Sequence, residues 1–236
     1  MYGSSAVPVG AGYRPGYFSR PDEAGRFPVV LIMPGLGGLS SGEKSLARRL
    51  ARNGLGVIVV ALFGASGDPA STLASYHDTS DREAALMLDE VYDYLQSDDV
   101  HWAHRSKVGL LGIDLGGRVA LTAAATRPWV GSVAVVSTPL TGDEQRERQV
   151  ADYLDSLPVA VLGLYGEADE LIANETVDEA QERNGHGLWL LYEGARHDFW
   201  NEESPDFDSG AESDMFARLL EFYRSTLPAA VVEDLG

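Results

Sequence analysis

The chain has 236 residues, 44% hydrophobic and 23% charged, which fits one large globular domain and excludes collagen-like and wholly disordered classes. Against 18 basic residues stand 36 acidic ones, a formal charge of −18 that argues against binding nucleic acid or anionic membranes, both of which draw on lysine and arginine. Cysteine is absent, so disulfides, thiolate metal clusters and a cysteine nucleophile are excluded.

Residues 1–12 lack a basic segment followed by an apolar one, and no apolar run approaches ~20 residues, so a cytoplasmic location is expected. Residues 1–27, rich in glycine, proline and tyrosine, are expected to form an edge hairpin or an arm on the body of the domain. Residues 29–33 are a short apolar run between Pro28 and Pro34, the pattern of a buried strand. A helix is predicted over 45–53, closed by Gly54, then a buried strand over 57–62. Residues 64–80 are small and polar and read as a mobile loop. An amphipathic helix follows over 81–96, a strand over 107–111 and an apolar helix over 115–126. Strands at 132–137, 159–164 and 188–192 and helices at 174–183 and 211–225 complete the series. Strands that alternate with helices of this length predict an α/β fold: a mostly parallel, twisted sheet covered on both faces, one domain over 1–236.

In such sheets reactive groups gather beyond the carboxyl ends of the strands. The strand at 107–111 runs into Gly112-Ile113-Asp114-Leu115-Gly116-Gly117, a strand–turn–helix elbow with aspartate at its centre. Its glycines answer a steric need, because so sharp a turn brings the flanking backbones together. A helix-capping Asp114 in an ordinary glycine-rich turn is the plainer reading of the motif alone. Two further strand ends carry Asp169, in Tyr165-Gly166-Glu167-Ala168-Asp169, and His197, in Ala195-Arg196-His197-Asp198-Phe199. Singly these are a turn residue and a loop histidine. Together, in the order elbow, acid, histidine, they match the triad order of the α/β-hydrolase fold.

On these motifs, with Gly35-Leu36-Gly37-Gly38 and Leu46-Ala47-Arg48-Arg49-Leu50-Ala51, residues 13–224 resemble the dienelactone hydrolase family of α/β-hydrolases. The resemblance implies a hydrolase with Asp114 in the nucleophile's place, Asp169 as the orienting acid and His197 as the base. It implies oxyanion donors at the Leu115 N–H and at that of Gly35 or Leu36, and no cofactor or metal. It departs from the family at two points. The family's nucleophile is normally cysteine. Its dienelactone-cleaving members also grip the substrate with two arginines, whereas no arginine lies between Arg52 and Arg82 here, and Asn201 stands four residues past His197.

Helix N-terminus and hole both favour an ionised Asp114. A carboxylate attacks an ester carbonyl poorly, since the tetrahedral intermediate expels it again. Attack on the saturated carbon of an epoxide or halide instead leaves an alkyl ester that His197-activated water can cleave. Only ~20 residues separate 137 from 158, too few for a large cap domain. Acid–base chemistry in a cyclase, lyase or isomerase, or a non-catalytic binding module, are the alternatives. Phe63, His77, Phe199 and Trp200 are candidate pocket walls, with core packing the rival reading for the aromatics. His101 and His104 lack a third ligand nearby and read as a surface loop. The charge balance favours a small neutral or apolar substrate over an anion. Monomer and homodimer stay open.

Overall fold

A computed structural model describes residues 1–64, 68–146 and 148–232. In chain order its strands are β1 (Tyr2–Val9), β2 (Gly12–Ser19), β3 (Gly25–Arg26), β4 (Val29–Met33), β5 (Gly56–Val60), β6 (Val108–Ile113), β7 (Val130–Val136), β8 (Ala160–Gly166), β9 (Leu188–Tyr192) and β10 (Val231–Val232). Its helices are α1 (Ser41–Arg52), α2 (Pro69–Asp78), α3 (Asp81–Gln96), α4 (Gly116–Thr126), α5 (Ala151–Leu154), α6 (Asn174–Arg183) and α7 (Ser209–Thr226). Eight strands form one sheet in the order β1-β2-β5-β4-β6-β7-β8-β9, and β10 pairs with β3 apart from it. From β5 to β9 all neighbours are parallel. β1 and β2 form an antiparallel hairpin that joins the sheet edge against β5. This is the mostly parallel α/β sheet expected from the strand–helix alternation.

Strand pleating sorts the core into two layers. Val29, Leu31 and Met33 face one side with Leu88 and Val91 of α3 and Val119 of α4. Val30 and Ile32 face the other, with Leu46 and Leu50 of α1 and Met215 and Leu219 of α7. The central strands are buried along their whole length, so they read as continuous apolar runs.

Predicted strand ends fall within two residues of the observed ones. Helix α1 starts four residues earlier than its apolar periodicity indicates, at Ser41 rather than 45, because a capping box begins it. The Ser40 hydroxyl accepts from the Gly42 N–H (3.0 Å), and the Glu43 carboxylate accepts from the Ser40 N–H (3.0 Å). The loop expected over 64–80 is corrected: residues 69–78 are helical, while 65–67 lie outside the described residues. Asp68 caps this helix at the Ser71 N–H (2.9 Å) and Pro69 opens it, both ordinary start signals. Only Thr72 and Tyr76 of α2 are buried, too few to give an apolar stripe. Among the described residues, no helix is long and apolar enough to cross a membrane.

Candidate active site

β6 is buried throughout and α4 begins three residues after it ends, so the connection must reverse within Asp114 and Leu115. Asp114 takes up the turn with φ +49°. A Cβ on Gly112 would lie 2.2 Å from the Gly117 Cα, so only glycine lets strand and helix meet this closely. The Asp114 N–H donates to the Val136 carbonyl of β7 (3.0 Å), and its own carbonyl accepts from the Gly117 N–H (3.0 Å). With the backbone held at both ends, the carboxylate stands at the crest of the turn, its side chain 21% exposed.

The other two candidate groups converge from the ends of β8 and β9. After β8, the Asp169 side chain is wholly enclosed; its Oδ1 accepts from the Leu171 N–H (2.8 Å) and its Oδ2 lies 2.7 Å from His197 Nδ1. After β9, His197 turns its Nε2 to 4.0 Å from Asp114 Oδ1. The two loops are stitched together by Glu167 N–H to Tyr192 O (2.9 Å) and Ala168 N–H to Ala195 O (2.9 Å). The sequence order elbow, acid, histidine thus becomes one spatial line.

The Asp114 carboxylate is itself seated on backbone donors. Its Oδ2 accepts from the Leu36 N–H (3.2 Å), and the Leu115 N–H dipole also favours the ionised carboxylate. Of the two N–H candidates after β4, Leu36 is the donor in contact. Gly35 gives clearance instead, since a Cβ there would meet Oδ2 at 2.5 Å.

Burial pushes the Asp114 carboxyl up. The Leu36 N–H, the His197 charge and the Leu115 N–H pull it down, the Asp198 charge adds to the rise, and the net is above an ordinary aspartate. The downward pull expected from the helix N-terminus and the hole is therefore present but outweighed by burial. For His197, burial pulls the imidazole down, while the Asp169 hydrogen bond and charge, then Asp114 and Asp198, raise it; the net is above an ordinary histidine.

Beside Asp114 opens a cleft of about 520 Å³ lined by His77, Leu115, Arg118, Leu140 and Leu171. His77, at the C-terminal end of α2, is the predicted wall residue found there. Phe63 lies behind it, edge-on to Tyr76 at 5.6 Å, and does not line this cleft. Phe199 and Trp200 are corrected as well. Both are buried in the α1–α7 layer, Phe199 against Tyr192 at 5.2 Å, because the turn after His197 carries the chain inward on the far side of the sheet. His101 is exposed and His104 half-buried in the connection between α3 and β6.

Arg118, which sequence reasoning passed over, lies one helical turn past Asp114 on α4 and is 2% exposed. Its Nε and Nη2 grip the two oxygens of Asp81 at 2.7 Å each, and Tyr153 donates to the same carboxylate at 2.7 Å. Arg146 stacks its guanidinium over the Tyr76 ring (4.7 Å) and donates to the carbonyls of Tyr76 and Thr79. These contacts dock the segment after β7 onto α2 and α3 and so build one wall of the cleft. A lone arginine in the otherwise apolar run of α4 was the available signal.

The sequence profile of the dienelactone hydrolase family matches residues 15–227. An Escherichia coli (strain K12) protein provisionally named carboxymethylenebutenolidase is 27% identical, with 94% of this chain and 86% of that protein covered. A Bradyrhizobium protein named as a probable 2-oxo-3-(5-oxofuran-2-ylidene)propanoate lactonase is 27% identical over 78% of this chain and 77% of its own length. Among solved structures, one from Klebsiella pneumoniae subsp. pneumoniae MGH 78578, provisionally described as a dienelactone hydrolase, superposes with a TM-score of 0.85 at 23% identity, covering 95% of this chain and 98% of its own. That likeness speaks for the fold.

Proposed function

The chain belongs to the dienelactone hydrolase family of α/β-hydrolases, and from that premise we propose that Asp114 is a carboxylate nucleophile acting on an electrophilic carbon of a small organic substrate, with Asp169 and His197 completing the triad. One observation carries the reading: the two carboxylate oxygens of Asp114 are in different surroundings. Oδ2 rests on the Leu36 N–H, while Oδ1 faces His197 Nε2 at 4.0 Å, near enough for one water in the cleft to bond to both from the side.

This arrangement disfavours acyl attack, including acyl cleavage of a lactone of the kind named for the Bradyrhizobium relative. The Leu36 N–H, which would receive a substrate's oxyanion, is already taken by the enzyme's own carboxylate, which is also the better leaving group. Displacement at saturated carbon has neither difficulty. Oδ1 attacks an alkyl halide or epoxide carbon; halide leaves, or the ring oxygen leaves as alkoxide and takes a proton from solvent. The result is an alkyl ester on Asp114. His197 Nε2 then removes a proton from water, whose oxygen attacks Cγ of the ester. Negative charge grows on Oδ2, against the Leu36 and Leu115 N–H groups. Collapse breaks the Cγ–Oδ1 bond, the His197 imidazolium returns the proton to the departing alkoxide, and the regenerated Asp114 carboxyl releases the water's remaining proton to solvent. Asp169 holds the imidazole tautomer and steadies its charge.

A second reading has its own support. Asp114 and His197 are both biased toward holding a proton, as suits an acid–base pair in a cyclase, lyase or isomerase. A non-catalytic binding module is the third. The excess of acidic residues favours neutral or apolar substrates in all three readings. Turnover of a panel of small epoxides and haloalkanes in heavy-oxygen water, followed by mass analysis of the peptide containing Asp114, separates them. Label in that carboxylate is expected. Turnover without label would favour acid–base chemistry, and no turnover on any substrate would favour the binding module.

A further inference from the structure

The branches that deliver the three candidate groups meet at the carboxyl end of β7. That strand lies between the one leading to Asp114 and the one leading to Asp169. Its last residue, Val136, accepts the Asp114 N–H. The next, Ser137, donates its N–H to Leu164 of β8 (3.1 Å). The Ser137 hydroxyl reaches the third branch, donating to the backbone carbonyl of His197 at 2.6 Å. Ser137 is fully buried.

Its backbone is left-handed, φ +46°, and among the described residues only Asp114 shares that state without being glycine. Glycine would adopt it freely. A serine in that conformation is explained by what its side chain does, and its hydroxyl has one recorded contact, the His197 carbonyl. The loop is held on either side of this point by Ala168 N–H to Ala195 O (2.9 Å) and Asp208 N–H to Phe199 O (3.0 Å). At residue 197 itself the anchor is Ser137. We propose that Ser137 is a positioning residue for His197, fixing the backbone from which the imidazole projects between Asp169 and Asp114. Its catalytic consequence rests on the reading of His197 as the base; the anchoring itself does not.

The test uses Ser137→Ala, which deletes the hydroxyl and keeps the strained backbone, and Ser137→Gly, which deletes the hydroxyl and relaxes it. Proton NMR follows the His197 Nδ1–H resonance and the ring's titration, assigned by its loss in His197→Gln, alongside the thermal midpoint. Asp169, Asp114 and Asp198 are the charges acting on this ring. In both variants the Nδ1–H signal should broaden or move and the titration midpoint should fall toward ordinary imidazole. Ser137→Gly should nevertheless melt above Ser137→Ala, because glycine relieves the left-handed backbone while both lack the hydroxyl, which separates positioning from stability. On any substrate that is turned over, kcat should drop about 10²-fold with KM little changed. A wild-type resonance and titration in both variants, whatever their melting points, would overturn the proposal. The NMR readout needs no substrate, so it stands even if heavy oxygen never enters Asp114.

Discussion

The elbow and the cleft wall border the same cavity and are built on different principles. Around Asp114 nearly every contact is made by backbone: Val136, Leu36 and Gly117 hold it through carbonyls and N–H groups whose places the parallel sheet dictates. The wall is held by side chains, with Asp81 taking Arg118 and Tyr153, and Arg146 reaching across to α2. The first region is fixed once the strands are in register. The second depends on a buried charge network whose members come from distant parts of the chain, and there the cleft can be reshaped without disturbing the reactive group.

Substitutions should break the two regions in different ways. The largest effect is expected at the elbow. Asp114→Ala should cost about 10⁵-fold or more in kcat while the fold persists. Asp114→Cys should introduce hydrolysis of an activated aryl ester that the wild type lacks, because a thiolate can attack a carbonyl and leaves the hole free. Asp169→Asn should lower kcat/KM by about 10⁴-fold. It should also move the pH profile. If His197 acts as a neutral base, activity rises as its proton leaves, with a midpoint above the usual ~6.5. Removing the Asp169 charge takes away the leading cause of that elevation, so the limb should shift to lower pH.

On the wall side, Arg118→Ala leaves the Asp81 carboxylate half-buried with a lost partner, and should cost about 3–5 kcal/mol of stability in urea unfolding. The joint replacement Arg118→Met with Asp81→Leu should recover part of that loss, since it removes the unpaired carboxylate but leaves the Tyr153 hydroxyl without its acceptor. A smaller and opposite effect belongs to the elbow. The folded state holds the Asp114 proton more tightly than the unfolded chain does, so stability falls as pH rises from the ordinary carboxyl range through the raised one, and the deficit persists at neutral pH. Asp114→Asn should therefore melt above the wild type at pH 7, with the difference closing near pH ~3. The smallest effect is expected for His77→Ala, a rise in KM of a few-fold on substrates long enough to reach α2.

The same contrast explains what could be read from the sequence. The central strands of the sheet are buried on both faces and announce themselves as apolar runs, and the elbow's glycines and the order Asp114, Asp169, His197 follow from strand ends. The wall gave no such pattern. Helix α2 carries the start signals Asp68 and Pro69 but buries only two side chains, so periodicity is silent there. Arg118 and Asp81 are 37 residues apart, and nothing local pairs them. Phe199 and Trp200 come two and three residues after His197, yet the turn sends them into the opposite layer, a direction that proximity in sequence does not specify.

Trapping the intermediate tests the central claim most directly. A His197→Gln enzyme keeps the nucleophile and lacks the base, so incubation with a substrate that the wild type consumes should yield protein heavier by one alkyl group, located on the peptide containing Asp114. Product release by the wild type, with no such adduct in the variant and no transfer of oxygen from Asp114, would contradict the account.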